Sequence, residues 1–175
     1  MKQKQIYIGI DPGKDGAIAV IDSDGKIFDV YDMPTIKNGS KRSLLVGELK
    51  RILAALVTEF GAQNIVCGIE KVNAFPGNGS VSSFSFGKNA GVLEGLVCGL
   101  SIRYELIHSK TWQKIWLKDV EGTDTKARSI LAASRMFPDL VLKRKKDHNR
   151  ADAVLIAAHI KKKNQIELER IQCPL

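Results

Sequence analysis

Two apolar segments of this chain each deliver an acid at their C-terminal end, and that repetition constrains the fold more than any other feature. Ile6-Tyr7-Ile8-Gly9-Ile10 runs into Asp11, and Ile65-Val66-Cys67-Gly68-Ile69 runs into Glu70. Both runs have the length and the β-branched content of buried strands. A carboxylate at the end of a central strand is poorly solvated unless it is paired or holds a cation. If the two strands are neighbours, their acids repel each other, and a divalent cation between them is the usual resolution. Taken singly, each acid also has a plainer role. Asp11 would cap the turn at Pro12-Gly13, and Glu70 would pair with Lys71 at the surface.

The segments around these strands give the order of elements. Residues 17–21 and 26–31 read as a hairpin about Ser23-Asp24-Gly25, so the chain begins with a three-stranded antiparallel meander. Residues 35–41 read as a polar loop. Over residues 43–60, Leu45, Leu49, Ile52, Leu53, Leu56 and Phe60 recur at helical spacing, and Gly61 stops the helix. Residues 73–87 read as a long loop of small residues, a length and composition that loops with a function often show. Its Phe75, Phe84 and Phe86 either stack against bases or plug the core beneath the loop. A helix is expected over 88–102, with Gly91, Gly95 and Gly99 on one face, open to another helix or to a second subunit. A fifth strand follows at 104–107. His108 then leads into a short helix whose Trp112 and Trp116 read as core. Thr125 is the expected N-cap of a helix reaching to about Phe137, with Ile130, Leu131, Ala133 and Ser134 inward. Lys126 and Arg128 in its first turn oppose the helix dipole, which an anionic ligand would rationalise.

The last segment concentrates charge. Lys143-Arg144-Lys145-Lys146-Asp147-His148-Asn149-Arg150 places five basic residues around one acid. A helix follows with Ala151, Val154, Leu155 and Ala158 on its buried side. Asp152 lies in its first turn, and His148, four residues earlier, shares its face. Asp147 would reach the same place from the preceding loop. Acids holding metal and bases holding phosphates would explain the mixture; a solvated helix start with Asp147 as a cap is the plainer alternative. Overall, 27 Lys and Arg against 19 Asp and Glu give a net charge of +8, which points to a polyanionic partner. Cys67, Cys98 and Cys173 form no paired or zinc-like pattern and are expected as reduced thiols. With no apolar run of membrane-spanning length and no signal peptide apparent, we expect a cytoplasmic protein that does not engage a membrane. The 175 residues are expected to form a single domain over 1–175.

The order of three antiparallel strands, helix, strand, helix, strand, helices is that of the ribonuclease H-like α/β fold, a mixed five-stranded sheet flanked by helices. The segments GIDPGKDGAIAV, IEK and KRKKDHNRADAVLIAAH resemble those of the RuvC-type Holliday-junction resolvases. ARSILAASRMFPDL, with the Lys-Asp-His run after it, is similar to the chloroplast and phage-borne branch of that family. The resemblance covers nearly the whole chain, and the C-terminal run carries most of its specificity. It implies a homodimer that cuts four-way junction DNA by paired symmetric nicks, with Mg²⁺ (Mn²⁺ also serving) in a two-metal mechanism. Asp11, Glu70 and Asp152 match the family's strand and helix acids. The bacterial pattern has a further acid where this chain has Asn149, and the chloroplast-like run has it at Asp147. The metal ligands implied are therefore Asp11, Glu70, Asp147 and Asp152, with His148 in a supporting catalytic role. Expected DNA contacts are Phe75, Asn78, Phe84, Lys88, Lys126, Arg128, Lys143, Arg144, Lys145, Lys146 and Arg150. A ribonuclease H-like nuclease on RNA–DNA hybrids or other branched DNA, and a non-catalytic junction-binding protein, are the rival readings.

Overall fold

The computed structural model describes residues 4–39, 41–71 and 79–172, apart from the side chains of residues 81, 82, 168 and 170–172. Its centre is a five-stranded sheet in the order β3-β2-β1-β6-β7. β1 (Ile6–Asp11), β2 (Ala17–Asp22) and β3 (Ile27–Asp32) form the antiparallel meander, and β6 (Ile65–Glu70) and β7 (Arg103–Ile107) add to β1 in parallel. This is the mixed sheet expected from the element order.

Strand alternation divides the residues between two cores. Ile6, Ile8, Ile10, Ile65, Cys67 and Ile69 face one side, where they meet Leu49, Leu53 and Leu56 of α1 (Val46–Phe60) and Leu93 and Val97 of α2 (Ser80–Gly99). Tyr7, Ala17, Ala19, Ile21 and Val66 face the other. That side is covered by α3 (Ser109–Trp116), α4 (Thr125–Met136) and the long α5 (His148–Gln172). In α5, Ala151 and every residue from Ala153 to Ile160 are buried, as befits a helix clamped between sheet and neighbouring helices.

Three local expectations change. Residues 35–41 contain strands: β4 (Thr35–Asn38) pairs with β5 (Lys41–Leu44) as a small separate hairpin, and α1 begins only at Val46. Of that hairpin only Leu44 is buried, so its sequence has no apolar alternation to read. Second, α2 starts at Ser80, well before residue 88, because serines and glycines that suggest a loop occupy its first turns. Phe84 and Phe86 are therefore helical, and Phe84 is 75% exposed, so it plugs no core. Phe75, Asn78 and Cys173 lie outside the described residues. Third, α4 is capped by Asp124, whose Oδ1 accepts from the Ala127 N–H at 2.8 Å, and its buried residues are Ser129, Ala132 and Ala133. Among the described residues no helix is long and apolar enough to cross a membrane.

What brings α5 onto the sheet is the lack of a side chain at Gly9 and Gly68. A Cβ on Gly9 would stand 2.0 Å from the Ala153 carbonyl oxygen and 2.5 Å from the Ala157 nitrogen. Backbone atoms cannot yield as a flexible side chain can. Gly9→Ala should cost about 3 kcal/mol, the upper end of overpacking effects. Gly47→Ala, where a Cβ meets nothing within 4 Å, should be neutral or gain up to about 1 kcal/mol. Urea unfolding of the two variants checks this; equal midpoints would contradict the close approach.

Candidate active site

The same alternation places the acids. Asp11 follows Tyr7 and Gly9 on the α5 side of β1, and Glu70 follows Val66 and Gly68 on the α5 side of β6. The parallel register aligns Ile10 with Ile69, so Asp11 and Glu70 lie one step beyond on adjacent strands, which run about 4.8 Å apart. Because α5 already begins at His148, the expected first-turn place of Asp152 becomes the second turn; Asp152 comes down from there, next to Ala153, which touches Gly9. The three carboxylates thus meet at one end of the sheet.

Their charges act on one another. Burial first, then the charges of Asp11 and Asp152, push the Glu70 carboxyl up to about 8. Burial, then the Asp11 charge, pushes Asp152 up to about 7, with Lys126 acting in the opposite direction. Burial also raises Asp11, against a Gly13 N–H donating to its Oδ1 at 3.2 Å and the nearby His148. Oδ1 of Asp152 is buried without a hydrogen-bond partner. The Trp112 indole N–H faces Glu70 and the Ser129 hydroxyl faces Asp152, and each favours the ionised acid. Neither reaches good hydrogen-bond geometry, so we read both as weak, adjustable contacts. Among the described residues no three His, Cys, Asp or Glu side chains are drawn tightly enough together to enclose a metal ion as they stand. An unpaired acid oxygen beside other carboxylates is what a cation fits.

Other residues singled out in the sequence have partners or surroundings of their own. Asp147 is 2% exposed and is occupied by Arg144, whose backbone N–H and Nε both donate to it at 2.7 Å. It plays no part in the charge interactions of the acidic trio. It belongs to an ion-pair network with Asp32, at the end of β3, to which Arg144, Lys146 and Arg150 all donate. Arg128 donates its guanidinium to the carbonyls of Val120 and Leu117, bracing the connection between α3 and α4. Asn149 donates to the Asp15 carbonyl at 2.7 Å. Trp112 is fully buried, as expected, and Lys162 lies over the Trp116 ring. Lys88, Lys126, Lys143 and Lys145 are exposed. Sequence reading missed Ser129 and Asp32. Ser129 lies three residues after Lys126 on a helix, hence on one face with it, and Asp32, like Asp11, Asp22 and Glu70, is an acid ending a strand; both signals were legible.

No protein-family model and no curated protein sequence matches the chain. Solved structures do. RuvC of T. thermophilus in complex with a Holliday junction substrate aligns over 92% of this chain and 96% of that one, at 10% identity and a TM-score of 0.62. Another Thermus thermophilus RuvC structure covers the same shares at 15% identity and a TM-score of 0.56. The chain has the RuvC fold. The likeness is to the RuvC type and gives no support to the narrower placement in the chloroplast branch.

The raised acids set a pH dependence. The folded chain keeps protons on Glu70 and Asp152 that the unfolded chain releases near pH 4, so stability in chelator should be highest at low pH within this window. It should fall as pH rises from about 4 to about 8. Glu70→Gln should flatten part of that fall and raise the melting temperature at pH 8. Calorimetry in chelator checks this; a wild-type Tm that climbs with pH across the window would contradict the buried-acid cluster.

Proposed function

We propose that this chain is a divalent-metal-dependent nuclease that resolves four-way DNA junctions as a homodimer, by paired symmetric nicks. The observation that carries the proposal is the convergence of Asp11, Glu70 and Asp152 at one end of a sheet with the RuvC fold. Carboxylates are the ligands that hard cations select, and Mg²⁺, or Mn²⁺ in its place, would be held by these three. When bound, such ions supply Lewis-acid polarisation of a phosphodiester and water of lowered pKa. Asp147, expected as a fourth ligand, is the weaker candidate because Arg144 already satisfies it. His148, whose charge reaches Asp11 and whose Nδ1 lies 3.1 Å from the Lys145 carbonyl, is better placed to orient water or a phosphate.

The cationic surface supports a polyanionic substrate. Lys126 stands beside Asp152, and a cleft of about 340 Å³ between α3 and α4 is lined by Lys110, Lys114 and Lys118. None of these four makes an ion pair among the described residues. The dimer draws on α2. A Cβ at Gly87, Gly91, Gly95 or Gly99 would meet nothing, so this face is open to the same helix of a second copy. A two-fold symmetric junction is matched by a two-fold symmetric enzyme.

Asp11→Asn keeps the shape and removes the charge. It should lower cleavage of a four-way junction in Mg²⁺ by at least about a thousandfold while leaving junction binding within about threefold. Comparing junction, RNA–DNA hybrid and linear duplex on the wild type tests the substrate. Preferential cleavage of the hybrid would favour the rival nuclease, and no cleavage with intact junction binding would favour a binding protein. Gly91→Leu combined with Gly95→Leu should give a folded monomer in light scattering, since leucine improves an exposed helix. A dimer unaffected by both would place the interface elsewhere.

A further inference from the structure

Asp32 gathers more positive charge than any other acid in the described structure. Arg144 Nη1 and Nη2 donate to it at 2.7 and 2.8 Å, Lys146 Nζ at 2.8 Å and Arg150 Nε at 2.5 Å. Arg144 also grips Asp147. Three of the five basic residues in the 143–150 run therefore turn toward two acids of the same chain. Lys143 and Lys145 make no ion pair among the described residues. Arg144, foremost among these cations, holds the Asp32 carboxyl far below the usual carboxylate range, so the network persists at any working pH. Asp32 is not needed to fill the core, since its side chain is 32% exposed.

Its position explains what the network does. Asp32 pairs with Ala17 across β2, and Ala17 pairs with Asp11, so Asp32 and Asp11 lie in one row, two strands apart. Arg150 lies two residues before Asp152. The Asp32 clamp therefore ties the start of α5 to the sheet beside the acidic trio. A carboxylate taking three cations occupies the geometry that a phosphate would take.

We propose that Asp32 is a specificity-determining residue. It withholds Arg144, Lys146 and Arg150 from nucleic-acid phosphates and uses them to fix the start of α5. Indiscriminate backbone binding is thereby kept low, and junction binding depends on the unpaired lysines. This rests on the polyanion reading of the preceding subsection.

The test is the salt dependence of binding to a four-way junction and to a linear duplex, for the full chain and its variants. Each phosphate contact contributes about 0.9 to the slope of log affinity against log salt. Asp32→Asn should steepen the duplex slope by about 2 to 3 units, raise duplex affinity at low salt about tenfold or more, and narrow the preference for junction. Lys146→Gln, at an exposed position, should change the wild-type slope by less than about 0.3 but flatten the Asp32→Asn slope by about 0.9. An unchanged slope in Asp32→Asn overturns the proposal. So does a wild-type slope that Lys146→Gln flattens by about 0.9, and this second result decides alone if Asp32→Asn does not fold. A wild type that binds neither DNA overturns the nucleic-acid reading itself; binding with an unchanged slope overturns only the role given to Asp32.

Discussion

The approach of α5 to β1 is the contact on which the rest of the arrangement depends. Two glycines, Gly9 and Gly68, leave the sheet bare where the helix crosses it, and Ala153 and Ala157 keep the helix surface thin at the same place. At Gly9 helix backbone then packs directly on strand backbone, and at Gly68 the side chains of Ile156 and Ile160 take the space. The consequence is positional: Asp152 starts one residue before that contact and Asp11 ends the strand that makes it. A bulkier pair would lift the helix and separate the acids. The alanine-rich stretch of α5 thus has a steric purpose in addition to its helix propensity.

Placing three carboxylates in one recess works against folding. Desolvation raises each of them; the charges of Asp11 and Asp152 add to it at Glu70, that of Asp11 at Asp152 and that of Asp15 at Asp11. The fold offsets this with its apolar layers: isoleucines and leucines against α1 and α2 on one side, alanines, Tyr7 and Val66 of the sheet against α3 with its Trp112, α4 and α5 on the other. Conflict between local electrostatics and global packing, concentrated at one spot, is what functional sites show. Nothing comparable is found at Asp32 or Asp147, where each acid has its cations and is driven down, as in a structural ion-pair network.

The strands of the five-stranded sheet and the acids that end β1 and β6 were readable in the sequence because each rests on a local signal. An apolar run ending in an acid is such a signal, and it occurred at Asp11 and at Glu70. What could not be read was partnership. Asp147 sits in the sequence among metal-ligand candidates, yet its nearest strong donor is Arg144, three residues back, and the link that fixes Arg144 is Asp32, 112 residues away. No spacing rule reports a pairing of that range. The β4–β5 hairpin and the early start of α2 escaped for another reason. Both are solvent-rich elements, so the buried periodicity that betrays a strand or helix is absent from them.

The division of the molecule into two faces bears on how the proposed chemistry and the proposed dimer relate. The acidic trio and the lysines of α3 and α4 belong to the layer that α5 heads, whereas the open glycines of α2 belong to the opposite layer. Among the described residues the sheet lies between the two layers. Substituting exposed glycines on α2 changes no side chain that touches Asp11, Glu70 or Asp152, and neutralising an acid changes nothing on α2. Assembly and chemistry are therefore separable by mutation. If a monomeric variant loses cleavage of one strand pair but still nicks, the chemistry resides in each subunit. If it loses all cleavage while its acids and fold remain intact, the second copy is needed to present the junction to the site.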